Sequence, residues 1–295
     1  MRKMGAELEF EMWEDRSCQY MSDLINEIAQ RQDMTCQTRE APDHWTMKTD
    51  HCGWELTTPA FEATWSNFRK VRQIIEDMRR EICYRHNVSR NPNNTGLHVH
   101  IDITDLAAEH MRNMVNIFRT FEPALRELHH RSRLDSRWVT PLTNRSDIYY
   151  DQHLPNLSPT NINMLTDHNY GMNLSRYECR GTVEIRYGGT SVRGRKVINW
   201  MQVLCFLVEA SKKVENYQRN ECGSLEDLYE FMRSVETGTW LDRRVDNLII
   251  WMERRHRQLY HRQEWREERD ERNRQRRIAR GEEVDEPANE ENPEE

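Results

Sequence analysis

Residues 95–102, Thr-Gly-Leu-His-Val-His-Ile-Asp, alternate apolar and polar side chains after the opening Thr-Gly. Successive side chains of a β-strand point to opposite faces, so Leu97, Val99 and Ile101 would share one side while His98, His100 and Asp102 share the other. The same period of two recurs at residues 5–12, with Glu7, Glu9 and Glu11 in a row, and at 54–59, with Glu55 and Thr57 opposite Trp54 and Leu56. It returns at 169–175, with Asn169 and Asn173, and at 182–187, with Glu184 and Arg186. Five strands with one apolar side each constrain the chain to fold around a sheet, and residues 45–50 add a further short strand.

Between the strands the apolar period changes to three and four, which predicts helices at 21–31, 61–85, 106–130 and 194–215. The middle of the last, residues 197–208, is apolar on nearly every side and should lie buried beneath the sheet. Ser224 to Asp227 reads as a capping signal for a short helix to Ser234, and a further helix starts near Leu241. Residues 131–168 are polar, rich in turn formers and long for a connection, the character of an active-site lid. Strand, long helix, strand, long helix is the rhythm of an α+β fold. The expected architecture is an antiparallel sheet with helices on one face and an open polar trough on the other.

Two regions follow from composition: a domain over residues 1–260, and a charged tail over 261–295 that is helical at first and disordered in its last fifteen residues. The formal net charge of −7 argues against general nucleic-acid binding. No apolar run has the length of a membrane span, and the first residues lack the apolar core of a signal peptide. The seven cysteines are odd in number and scattered, as expected of reduced thiols in a soluble cytoplasmic protein.

The polar sides of the five strands bear carboxylates, imidazoles and amides, where a merely solvated face would show Lys, Thr, Ser and Gln. Such a lining suits Mg²⁺, which prefers oxygen ligands and bridges carboxylates to substrate phosphates. The blocks Gly-Ala-Glu-Leu-Glu-Phe at 5–10, Asp50 ahead of Gly-Trp-Glu-Leu-Thr-Thr-Pro at 53–59, Gly-Leu-His-Val-His-Ile-Asp at 96–102, Tyr-Gly-Met-Asn-Leu at 170–174 and Gly-Thr-Val-Glu-Ile-Arg-Tyr at 181–187 come in a fixed order. Together they resemble the amidoligase family of carboxylate–amine ligases, which is distantly similar to glutamate–cysteine ligase and glutamine synthetase.

The resemblance implies a glutamine-synthetase-like fold and an ATP-dependent reaction in which a substrate carboxylate is phosphorylated and the acyl phosphate is attacked by an amine. It implies Glu7, Glu9, Glu55, His98 and Glu184 as ligands of Mg²⁺, and Arg186 as the clamp on the transferring phosphoryl group. Asp50 and Glu55 would assist catalysis, while His100, Asn173 and Arg133 would line the nucleotide or substrate side. The partners would be a small-molecule amino acid, amine or peptide. Two other readings stay open on the residues alone. One is a metal-dependent hydrolase that uses the His-x-His strand for zinc, as amidohydrolase barrels do. The other is a catalytically inactive binding protein on the same fold.

Overall fold

The computed structural model of the chain describes residues 2–12, 18–31, 45–50, 53–83, 88–89, 95–130, 139–218, 222–261 and, in the tail, 269, 271–276 and 279–280. The first alternating stretch forms β1 (Lys3–Met12), and it runs through the middle of the sheet. Next come helix α1 (Cys18–Gln30), β2 (Thr46–Asp50), β3 (Gly53–Thr57), β4 (Phe61–Glu62) and α2 (Trp65–Met78). They are followed by β5 (Val88–Ser89), β6 (Gly96–Asp102), α3 (Ala108–Glu127) and α4 (Asp147–His153). The order closes with β7 (Met172–Asn173), α5 (Tyr177–Arg180), β8 (Thr182–Gly189), α6 (Gly194–Ala210), α7 (Leu225–Ser234) and α8 (Val245–Tyr260).

The sheet runs β2-β3-β1-β6-β8-β7, with β4 and β5 as two-residue additions to β1. Every pairing is antiparallel. Met4, Ala6, Leu8 and Phe10 of β1, Leu97, Val99 and Ile101 of β6, and Val183, Ile185 and Tyr187 of β8 are all buried, and they share one core with α2 and α6. Each such Leu or Ile contributes roughly 1.5–3 kcal/mol by leaving water. Alternation therefore fixes which face of the sheet is left for polar side chains.

The long helix expected over 61–85 is divided. Phe61 and Glu62 pair with Met4 and Lys3, Thr64 caps the helix by accepting from Asn67 N at 3.1 Å, and α2 gives way to a π-helical turn at Arg79–Cys83. The Thr64 cap is worth about 1 kcal/mol. Helix α1 starts three residues before the expected Met21, α3 is shorter than expected at both ends and α6 at its C-terminal end, and α7 begins with the expected capping box of Ser224 and Asp227.

The stretch 169–175 is only a two-residue strand, since Asn169 lies in an exposed turn whose amide donates to Asp167 Oδ1. Its link to β8 is helix α5, ended by Gly181 at φ 67°, a left-handed position that glycine adopts without a steric penalty.

Residues 139–168 are not an unattached flap. Leu142, Tyr150, Leu154, Ile162 and Leu165 are buried in the core, and Arg145 reaches Tyr170 Oη at 2.9 Å and the Leu165 carbonyl at 2.7 Å. The chain divides into two compact units, Met1–Met252 and Glu253–Glu295. The last fifteen residues lie outside the described ones. No helix among the described residues is long and apolar enough to cross a membrane.

Candidate metal and substrate site

Strand register brings the polar side chains together. Glu7 pairs with His98, Glu9 with Glu55, His100 with Glu184, and Glu184 with Asn173. Residues 11 to 91 positions apart thus meet on the face opposite the core. His98 Nδ1 lies 3.4 Å from both Glu7 Oε2 and Glu184 Oε1, and its Nε2 lies 3.5 Å from Glu9 Oε1. One imidazole is ringed by carboxylates from three positions. His98 and Glu184 are 3% and 4% exposed, so these groups have given up most of their hydration.

Glu7, His100 and Glu184 each offer a ligand atom within 4.8 Å of the others. The His100 Nε2 atom is buried and makes no hydrogen bond, although Glu7 Oε1 is only 3.1 Å away. Two ligand atoms this close can share a cation. Oxygen-rich donors with one or two imidazoles suit a hard divalent ion such as Mg²⁺. Among the described residues, four carboxylates (Glu7, Glu9, Glu55, Glu184) lie with the permanent cations Lys48 and Arg186, an excess of negative charge that a divalent cation would offset.

Burial pushes the Glu7 carboxyl up, but the His100 and His98 imidazoles outweigh it and hold Glu7 far below the usual carboxylate range. Glu184 shows the same contest: burial raises it, and His98, His100 and Arg186 bring it below its ordinary value. His100 is pushed down by burial and more strongly up by Glu7 and Glu184. Glu55 moves the other way, raised by burial and by the Glu7 charge despite Lys48.

The remaining residues have visible partners. Glu9 accepts from the Gly96 amide at 2.5 Å and thereby fixes the start of β6. Glu55 accepts from Lys48 Nζ and Thr57 Oγ1, both at 2.9 Å. Arg186 Nη1 donates to Glu184 Oε1. Asn173 is fully buried, its amide donating to Glu184 Oε2 at 2.7 Å while its oxygen accepts from Ser175. That arrangement orients Glu184. Asp102 closes the turn after β6 by accepting from the amide and hydroxyl of Thr104.

His100, expected on the nucleotide side, shares the cluster with Glu7 and Glu184. The Asp50 side chain and Arg133 lie outside the described residues. Lys48 was missed: its partnership with Glu55 is legible only once β2 and β3 are known to pair, Lys48 opposite Glu55.

A family model described as "putative amidoligase enzyme" matches residues 2–208, which contain every strand and every residue of this cluster. The chain belongs to the amidoligase family. No curated protein matches it. Membership makes this amidoligase-family chain an enzyme of ligase type.

Proposed function

We propose that this amidoligase-family chain is an ATP-dependent carboxylate–amine ligase that forms an amide or isopeptide bond. The observation that carries the reading is the convergence of Glu7, His98, His100 and Glu184, with Arg186 bonded to Glu184. Glu7, His100 and Glu184 would hold Mg²⁺, with Glu9, Glu55 and His98 completing or supporting the set. A cation bound there would neutralise phosphate charge.

In the proposed reaction a substrate carboxylate oxygen attacks the γ-phosphorus of ATP and ADP leaves. An amine then attacks the acyl carbon, phosphate leaves with the former carboxylate oxygen, and the amine loses a proton. Arg186 would stabilise the transferring phosphoryl group with planar donors matched to its oxygens. Glu55, with its carboxyl raised by burial and by Glu7, has the basicity to take the amine proton. The substrates would be a small amino acid, amine or peptide. A glutamine-synthetase-like trough and a cytoplasmic location belong to the same proposal.

The hydrolase reading loses its architectural support, because an amidohydrolase barrel is built from parallel βα units and this sheet is antiparallel. The test is ADP release with Mg-ATP across a panel of amino acids, amines and peptides, followed by mass analysis of the product. Glu184→Ala and Arg186→Ala should each lower substrate-dependent ADP release about a hundredfold or more while the protein stays folded by circular dichroism. Wild-type rates in both variants would place the chemistry elsewhere. Failure of the wild type to bind Mg-ATP in calorimetry would favour the inactive binding protein.

A further inference from the structure

The outward face of α2 carries a charge pattern that the ligase reading does not use. Phe68, Val71, Ile74, Ile75 and Met78 are buried in the core, whereas Trp65, Arg69 and Arg72 recur at i, i+4 and i+7 on the side turned to solvent. Trp65 is 45% exposed. Its ring lies 5.8 Å from that of Trp240, which packs on Phe68 at 5.6 Å and donates through Nε1 to the Ala63 carbonyl at 2.6 Å. Trp65 is thus the half-open end of an aromatic row anchored in the core.

Two further arginines reach this face from other parts of the chain. The Arg244 guanidinium carbon lies 5.0 Å from the centre of the Trp65 ring, at the end of the helical turn Trp240–Arg244. Helix α6 begins against α2: a Cβ on Gly194 would meet the Arg72 carbonyl oxygen at 2.4 Å, and the Arg195 amide donates to Glu76 Oε1 at 3.4 Å. Among the described residues the guanidiniums of Arg69, Arg72, Arg195 and Arg244 make no ion pair or hydrogen bond, and Nε of Arg244 is buried without a partner. Burial and the Arg195 charge hold Arg244 below its ordinary value, so an anion is what this face lacks. The carboxylates of α2 are engaged elsewhere, Glu76 with Arg79 and Asp77 with Arg80.

Tryptophan and arginine are the residues that most often dominate binding at protein interfaces, and a planar guanidinium matches a carboxylate with paired donors. A polynucleotide or an anionic membrane presents dense charge that the carboxylate excess of a chain of net charge −7 opposes, whereas a short peptide brings few charges. We propose that this face docks an acidic peptide segment of a partner protein, its carboxylates on Arg69, Arg72, Arg195 and Arg244 and an apolar side chain on Trp65. The docking face lies on the helical side of the sheet, away from the polar face that holds the carboxylate cluster.

The experiment is fluorescence anisotropy of the labelled synthetic peptide Glu-Asp-Glu-Leu-Glu-Asp-Glu with the full chain, without nucleotide or metal, so that the result does not depend on ligase activity. The wild type should bind this peptide and not its counterpart with Gln and Asn in place of Glu and Asp. Arg69→Gln combined with Arg72→Gln, both at exposed positions, should weaken binding about tenfold or more, as should Trp65→Ala in a chain that stays folded by circular dichroism. Arg112→Gln, which removes a positive charge from α3, should leave the affinity unchanged. No binding of the acidic peptide by the wild type would overturn the proposal. So would undiminished affinity in the folded double variant, an equal loss in Arg112→Gln, or binding of oligodeoxythymidylate or phosphatidylserine vesicles in place of the peptide.

Discussion

Gly171 has no room for a side chain. A Cβ there would lie 1.9 Å from Cε1 of Tyr187, and that ring is fully buried with its hydroxyl donating to Glu122 Oε1 at 2.7 Å. Gly171→Ala should therefore lower stability by about 1–3 kcal/mol, read as a fall in the denaturation midpoint. An unchanged midpoint would mean that the ring can swing aside. Glu122 also accepts from the Leu142 and Thr143 amides, so it ties α3 to β8 and to the segment after residue 139. Burial raises its carboxyl above the usual range against those hydrogen bonds. A raised folded-state value stabilises the fold below the ordinary glutamate range, and that contribution is lost as pH rises through the raised value. The stability of Glu122→Gln relative to wild type should accordingly increase with pH, measured by denaturant titration between pH 4 and 8; a pH-independent difference would contradict this. None of this was legible beforehand. Glu122 sits between the apolar residues Phe121 and Leu125 of α3, and its partner Tyr187 is 65 positions away.

At the scale of elements, strands β1, β6 and β8 follow from alternation because burial acts on every second residue. The irregularity between β6 and β8 does not. Leu97 pairs with Gly188 while Val99 pairs with Ile185, so β8 carries one extra residue opposite His98. The bulge consists of Arg186 and Tyr187, which lie opposite His98. A Cβ on Gly188 would sit 2.4 Å from the Leu97 carbonyl oxygen, which is backbone and cannot retreat without disturbing the pairing. Gly188→Ala should cost about 1–3 kcal/mol and weaken any activity that depends on Arg186, checked by thermal melting and by the ADP-release assay. Full activity with an unchanged melting temperature would show that the bulge absorbs the side chain. The segment 139–168 misled for a different reason. Its buried residues are spaced irregularly, so neither period reveals that they pack into the core.

For the whole molecule, the site depends on tertiary assembly. Glu7, Glu55, His98 and Glu184 come from four different strands, and the sequence could name them as candidates but could not say which pairs touch. The resemblance alone therefore puts His100 on the nucleotide or substrate side, while geometry groups it with Glu7 and Glu184. If those groups hold a divalent cation, Mg²⁺ at about a hundred times its dissociation constant should stabilise the fold by about 2.7 kcal/mol. The rise in melting temperature should disappear with chelator and be absent in Glu184→Ala. Equal melting temperatures with and without Mg²⁺ in the wild type would count against the site.

The position of β1 in the middle of the sheet has a further consequence, for the order of events during synthesis. Glu7 meets His98 across 91 residues, and the Glu9 carbonyl accepts from the Thr190 hydroxyl across 181. β3 follows β1 closely enough to pair with one of its edges, but β6, the partner of the other edge, is made much later, so that edge stays open beside an apolar side and a row of carboxylates. Contacts of such sequence separation slow folding and lengthen the time in which an unpaired edge is open to other chains. The acidic row that later serves the cluster would, in that interval, repel a second copy of the same strand.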